Sequence, residues 1–188
     1  MKNKLKIILN YIFLALQLLI FIQFTLNKRY DYLSGVSITT LAYIIFLYVI
    51  DKYNLYISNY VRGGVIVTIL SHHILGEYFN LYSKSAIFDK ALHIFGTYAF
   101  TLFIYLIMIQ TIKILFISKI SRFIFVILLG ISIGVGFEVI EFILDVTIKP
   151  KVPYQSNLID TNLDIVSDIV GSIIAAFYIT IRYHPKSL

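Results

Sequence analysis

Residues 123–146 read "FIFVILLGISIGVGFEVIEFILDV". From Phe123 to Phe137 no side chain is charged, and the whole stretch is long enough to cross a bilayer, which takes about 20 helical residues. Glu138, Glu141 and Asp145 then enter before the run ends. An ionised carboxylate at the centre of a membrane helix costs roughly 2.5–3.5 kcal/mol on insertion scales. The stretch therefore predicts a membrane span and, with it, a polar surface on neighbouring spans that compensates the carboxylates.

The rest of the chain reads the same way. Of 188 residues, 59% are hydrophobic and 14% charged, with a mean hydropathy of +0.86. That is the composition of a polytopic membrane protein. Cutting the apolar runs where Lys, Arg, Asp, Gly or Pro cluster places spans near 5–26, 34–50, 62–82, 91–112, 122–145 and 164–182. The expected fold is an all-α membrane helical bundle of about six transmembrane helices, a single integral-membrane domain over residues 1–188. "MKNKLK" ahead of Ile7–Leu26 imitates a signal peptide, but the apolar run is long and no small-residue cleavage site follows, so it reads as a retained first span. The third span is the most polar: "SHHILGEY" brings in His72, His73 and Glu77, and such a segment belongs inside the bundle. Pro150 and Pro153 mark the longest loop and stop the fifth helix.

Charge narrows the function classes. The net charge of +6 is spread as single Lys and Arg residues between apolar runs, which excludes a phosphate-tracking stripe and hence nucleic acid as a partner. Cysteine is absent, so disulfides, thiolate metal sites and thiol nucleophiles are excluded. The N-terminus, loops two and four and the C-terminus hold ten Lys and Arg (Lys2, Lys4, Lys6, Lys52, Arg62, Lys113, Lys119, Arg122, Arg182 and Lys186), against six in loops one, three and five. By the positive-inside rule both termini are cytoplasmic, in a bacterial cytoplasmic membrane. Tyrosines near the span ends, Tyr53, Tyr82 and Tyr183 among them, suit the interface.

The ionisable residues fall into four motifs with helical spacing. His73 and Glu77 are four apart at the end of span three, and Asp89 and His93 four apart at the start of span four. Glu138 and Glu141 are three apart in span five, and Asp160, Asp164 and Asp168 follow at intervals of four into span six. Residues three or four apart share a helix face. Alternating crossings put loops three and five on one side, so all four motifs lie in one leaflet and form a polar funnel open outward. Bland readings exist for some members. Asp89 and Asp160 read equally well as loop or N-cap residues, His72 as an interfacial residue, and Asp145 as a rim residue reaching water.

Carboxylates and imidazoles without thiols suit Mg, Mn, Ca or Zn, and a bound cation offsets carboxylate repulsion. The leading expectation is metal-assisted attack of water on a phosphoester or similar bond of a lipid or polyprenyl-linked envelope substrate. His93, Glu138, Glu141 and Asp164 would hold a divalent metal ion, His73 or Glu77 would move protons, and Asp89, Asp160 and Asp168 would form the rim. Membrane lipids are the expected surroundings, and the pocket needs a lateral opening to them. Two other classes stay open: a proton- or cation-coupled transporter or sensor, and a scaffold whose polar residues only fasten helices. No Ser-His-Asp spacing, HExxH or phosphate-binding loop commits the chain further.

His73-x-x-Gly76 followed by Tyr78 and Phe79, Asp89-Lys90-x-x-His93, Glu138-x-x-Glu141, and Asp160-Thr161-Asn162-x-Asp164 with Gly171 seven residues on are in register over residues 70–175. This pattern resembles the YjdF family of uncharacterised inner-membrane proteins and, more distantly, the VanZ-like family. The resemblance implies a small helical bundle sharing His73, Asp89, His93, Glu138, Glu141, Asp160 and Asp164. The VanZ-like side implies a link to lipoglycopeptide resistance and so to the cell envelope. Phe142 stands where Trp is expected, and Asp168 where VanZ-like proteins usually have Asn.

Overall fold

Short polar side chains set the helix starts. Ser58, Ser85 and Ser118 each accept a backbone N–H from three residues on, and Ser121 answers Ser118 in a capping box. Asn157 Oδ1 takes the N–H groups of Ile159 and Asp160. The helices these caps open were traced in a computed structural model, which describes residues 2–112, 114–150 and 152–182. Lys113, Lys151, Tyr183 and Lys186, used above in the charge and tyrosine readings, lie outside the described residues.

The chain runs through α1 (Lys2–Leu26), a 3-10 turn (Tyr30–Tyr32), α2 (Leu33–Lys52), α3 (Asn59–Leu70), the short α4 (Leu81–Lys84), α5 (Ala86–Thr111), α6 (Lys119–Thr147) and α7 (Leu158–Arg182). No strand occurs among the described residues. α3 passes without a break into a π-helical segment, Ser71–Tyr78. Five helices are long and apolar enough to cross a membrane: α1, the 3-10 turn with α2, α5, α6 and α7. α3 with its π segment is too polar to join them on hydropathy, and it is enclosed instead: Arg62, His73 and Glu77 are each no more than 1% exposed.

Several boundaries move outward from the sequence expectation. α5 begins at Ala86, so Asp89 and Lys90 are helical, and α7 begins at Leu158, so Asp160 lies in its first turn. Asp89 and Asp160 are therefore not the N-caps; Ser85 and Asn157 do that work. α6 stops at Thr147 ahead of Pro150, with Lys149 at φ 53 reversing the chain.

The tightest packing joins α7 to α5 and α6. It rests on small residues that let backbones approach. A Cβ at Gly134 would stand 2.5 Å from the Asp168 side chain, and one at Gly171 would run into the Ile94 carbonyl oxygen. Large apolar side chains such as Leu19, Leu41, Tyr48, Leu128 and Phe177 face outward. In lipid that surface costs nothing; in water it would be a large exposed patch. α2 packs mainly on α1. A cleft is left where α2 and α3 face α5 and α6.

Candidate functional site

The first two turns of α5 and α7 face each other with complementary charge. Lys90 Nζ lies 3.0 Å from Asp89, 2.5 Å from Asp160 and 2.6 Å from Asp164. One turn deeper is His93. Its Nε2 is 3.6 Å from Asp164 and 3.7 Å from Asp89, while its Nδ1 is 3.3 Å from Asp168 and 3.8 Å from Glu138. Thr97 donates to Asp168 Oδ1, and Gln155 Nε2 donates to both the carboxylate and the carbonyl of Glu138. Glu138 Oε1 and Asp168 Oδ2 are buried without a hydrogen-bond partner. Such orphan acceptors are costly unless a cation or proton occupies them. His93, Glu138 and Asp168 offer ligand atoms within 4.8 Å of one another, and so do Asp89, His93 and Asp164.

A second polar group stands on the π-helical segment. In a π-helix the hydrogen bonds run i to i+5, as Phe79 N to Ile74 O does here at 3.0 Å, and residues five apart come onto one face. His72 and His73 therefore both reach Glu77. His73 Nδ1 is 2.6 Å from Glu77 Oε2, and His72 Nε2 is 3.4 Å from Oε1. The outer nitrogens are held as well: His72 Nδ1 by Tyr82 OH at 2.5 Å, and His73 Nε2 by Thr39 Oγ1 at 3.0 Å. Tyr154 OH donates to Glu77 Oε1 at 3.0 Å. The interfacial expectation for His72 thus gives way to a place in this group.

Tyr154 and Gln155 reach the site from the α6–α7 loop because Asp145 accepts both their backbone N–H groups at 2.9 Å. Asp145 is a loop anchor, where the sequence suggested a solvated rim residue. Burial and the neighbouring Glu77 carboxylate push the Tyr154 phenol up, and burial with Glu141 raises that of Tyr82. Both phenols keep their protons at neutral pH, and Tyr154 donates its own to Glu77.

Both groups face a cavity of about 410 Å³. Its polar end is formed by His72, His73, His93, Glu141, Tyr154 and Asp168. The opposite arm is apolar, walled by residues such as Ala42, Phe46, Val65, Phe100 and Phe103. Ile38 on α2 and Ile140 on α6 line the cavity and are also 55% and 53% exposed, so the cleft opens sideways toward lipid between these helices.

Of the residues singled out from the sequence, the structure brings Asp89, His93, Glu138, Asp164 and Asp168 together, ties Asp160 to them through Lys90, and places His73 with Glu77 in a separate group. Glu141 lines the cavity and joins none of the close ligand groups among the described residues. Sequence reasoning assigned no site role to Lys90, Thr97, Tyr154 or Gln155, and read His72 as interfacial. Lys90 had a visible signal, an isolated cation one turn ahead of His93 in an acidic setting. The loop residues had none, because no periodicity relates a loop to a helix face.

Fold and site define a multi-pass helical membrane protein with a buried acidic and histidine-rich chamber opening to lipid. The family of predicted membrane proteins known as DUF2238 matches residues 7–185, and the chain belongs to it. A Thermotoga maritima protein, described only as an uncharacterized protein, is 33% identical over 112 residues, which cover 55% of this chain and 53% of that protein. The chain thus matches about half the length of this relative. No solved structure matches.

Proposed function

We propose that this protein is a membrane-embedded, divalent-metal-dependent enzyme acting on a lipid or polyprenyl-linked envelope substrate, of the YjdF type. The observation that carries the reading is a pair of orphaned buried carboxylate oxygens, Glu138 Oε1 and Asp168 Oδ2, around His93, where Asp168 and His93 line an apolar, laterally open cavity. A headgroup fits the polar end and a hydrocarbon chain the apolar arm. His93, Glu138 and Asp168 would hold the ion, with Asp164 and Glu141 completing its acidic surroundings. A hard divalent ion held in this oxygen-rich set would supply Lewis-acid chemistry, polarising a phosphoryl oxygen and acidifying water. Water would attack phosphorus and give a proton to the Glu141 carboxylate, which lines the cavity, and that proton would pass to the departing alcohol oxygen as its bond to phosphorus breaks. The surplus of Lys and Arg on the side of the termini supports placing the chamber in the outer leaflet, with both termini cytoplasmic.

The test uses purified protein in nanodiscs, stripped with chelator and reloaded with Mg²⁺ or Mn²⁺, with a phospholipid or polyprenyl phosphate as substrate and mass spectrometry as readout. Metal-dependent release of product, lost in Glu138→Gln and Asp168→Asn, is the expected result. Protein that retains no ion and changes neither lipid refutes the reading.

One observation favours a second reading. Gln17 donates to Thr39 Oγ1 at 3.0 Å, and Thr39 meets His73, so hydrogen-bonding groups continue from Glu77 to the buried middle of α1. A proton-coupled transporter uses such a chain. Proton flux in vesicles that Thr39→Val abolishes would favour transport over chemistry, and no flux would remove it.

A further inference from the structure

The π-helical side of the chamber has the anatomy of a second metal site. His72, His73 and Glu77 each offer a ligand atom within 4.8 Å of the others, with His72 Nε2 and His73 Nδ1 directed at the Glu77 carboxylate. They converge because the π-helical segment puts residues four and five apart on a single face; in an α-helix His72 would turn away from Glu77. Each histidine directs one nitrogen at the shared carboxylate and has its other nitrogen anchored by a hydroxyl, Tyr82 OH or Thr39 Oγ1. Ligating histidines are held this way, the outer partner fixing tautomer and ring orientation. Tyr154 OH steadies Glu77 Oε1 in the same manner.

We propose that His72, His73 and Glu77 form a zinc-type site, distinct from the acidic set around His93, with its fourth position open to the cavity. Two histidines and one glutamate with an open position make a catalytic zinc ligand set. Tetrahedral ligands at about 2.0–2.2 Å from zinc stand roughly 3.4 Å apart. His72 Nε2 and Glu77 Oε1 are already at 3.4 Å, while the His73–Glu77 hydrogen bond of 2.6 Å opens as the ion replaces the shared proton. His72 and His73 line the cavity, so a water on the fourth position faces the same space as the His93 group. The imidazoles favour zinc or another borderline metal here, whereas the carboxylate-rich group around His93 favours magnesium or manganese. The inference stands whether or not the His93 group holds an ion, and its test reads metal, not turnover.

Full-length protein in detergent, stripped with chelator, is titrated with Zn²⁺ and with Co²⁺ as its spectroscopic substitute. His93→Asn is expected to retain one tightly held Zn²⁺ per chain, and Thr39→Val, which removes the anchor of His73, to weaken binding about 10–100-fold. Because the chain has no cysteine, His72→Cys introduces a unique thiolate. A thiolate-to-cobalt charge-transfer band in His72→Cys, absent from His72→Cys combined with Glu77→Gln, places the ion on these residues and cannot arise from misfolding. Folded His72→Cys that shows no such band, or His93→Asn that loses all Zn²⁺, overturns the proposal.

Discussion

Replacing Lys90 with Met removes one positive charge from the point where three carboxylates meet and keeps the side chain's length. Asp89, Asp160 and Asp164 lie 3.0, 2.5 and 2.6 Å from the ammonium. Without it they face one another across the α5–α7 interface, the tightest seam with α6–α7 in the bundle. Removing one partner of a buried ion pair costs about 3–5 kcal/mol, because the remaining charge is left uncompensated. Asp89 and Asp160 keep 15% and 22% of their side-chain exposure, so water offsets part of that cost, but Asp164 keeps only 5%. The lower end applies, a loss of about 3 kcal/mol. Unfolding by SDS in mixed micelles, followed by circular dichroism, measures it. Adding Asp164→Asn removes the most buried of the stranded charges, so the double variant should be more stable than Lys90→Met alone, with a coupling energy of roughly 0.5–3 kcal/mol. Lys90→Met that unfolds at the wild-type SDS fraction, or a double variant showing the full sum of both losses, refutes the idea that this ammonium holds α5 to α7.

Gly171→Ala sets a Cβ against the Ile94 carbonyl, which as backbone cannot step aside, and should cost about 1–3 kcal/mol by the same SDS assay. If the His93 group holds an ion, Mn²⁺ at about 100 times its dissociation constant should stabilise wild type by about 2.7 kcal/mol and leave Glu138→Gln unchanged. Ala42→Trp, projecting into the apolar arm, should abolish lipid turnover while the metal content measured by mass spectrometry stays at the wild-type level. The raised Tyr154 phenol contributes stability that is fully present below its ordinary pKa of 10.0 and is lost as pH climbs through its higher folded value, since the unfolded chain gives up that proton first. Stability should therefore fall above about pH 10, and Tyr154→Phe should flatten that fall.

Local pattern carried much of the architecture. Apolar run length and the breaks at charged and proline-bearing stretches located the helices to within a few residues. The four-residue spacing in Asp160, Asp164 and Asp168 put them on one face, where Asp164 and Asp168 meet His93 and Asp160 meets Lys90. Helix ends were less legible, since Ser85 and Asn157 start α5 and α7 earlier than hydropathy suggested. Short polar turns continue a helix that an apolar window has already ended.

Composition and spacing sufficed to specify a helical membrane protein and to put its acidic and histidine motifs on shared helix faces, because hydropathy and periodicity are properties of neighbours along the chain. They did not specify two separate groups in place of one shared set. That division follows from contacts distant in sequence. The π-helical segment turns His72 toward Glu77, Asp145 draws Tyr154 and Gln155 in from a loop, and the cleft between α2 and α6 leaves the apolar arm open. Each depends on which helices pack and how closely. That is set by side-chain volumes meeting across the bundle, as at Gly134 and Gly171, and no single segment carries that information.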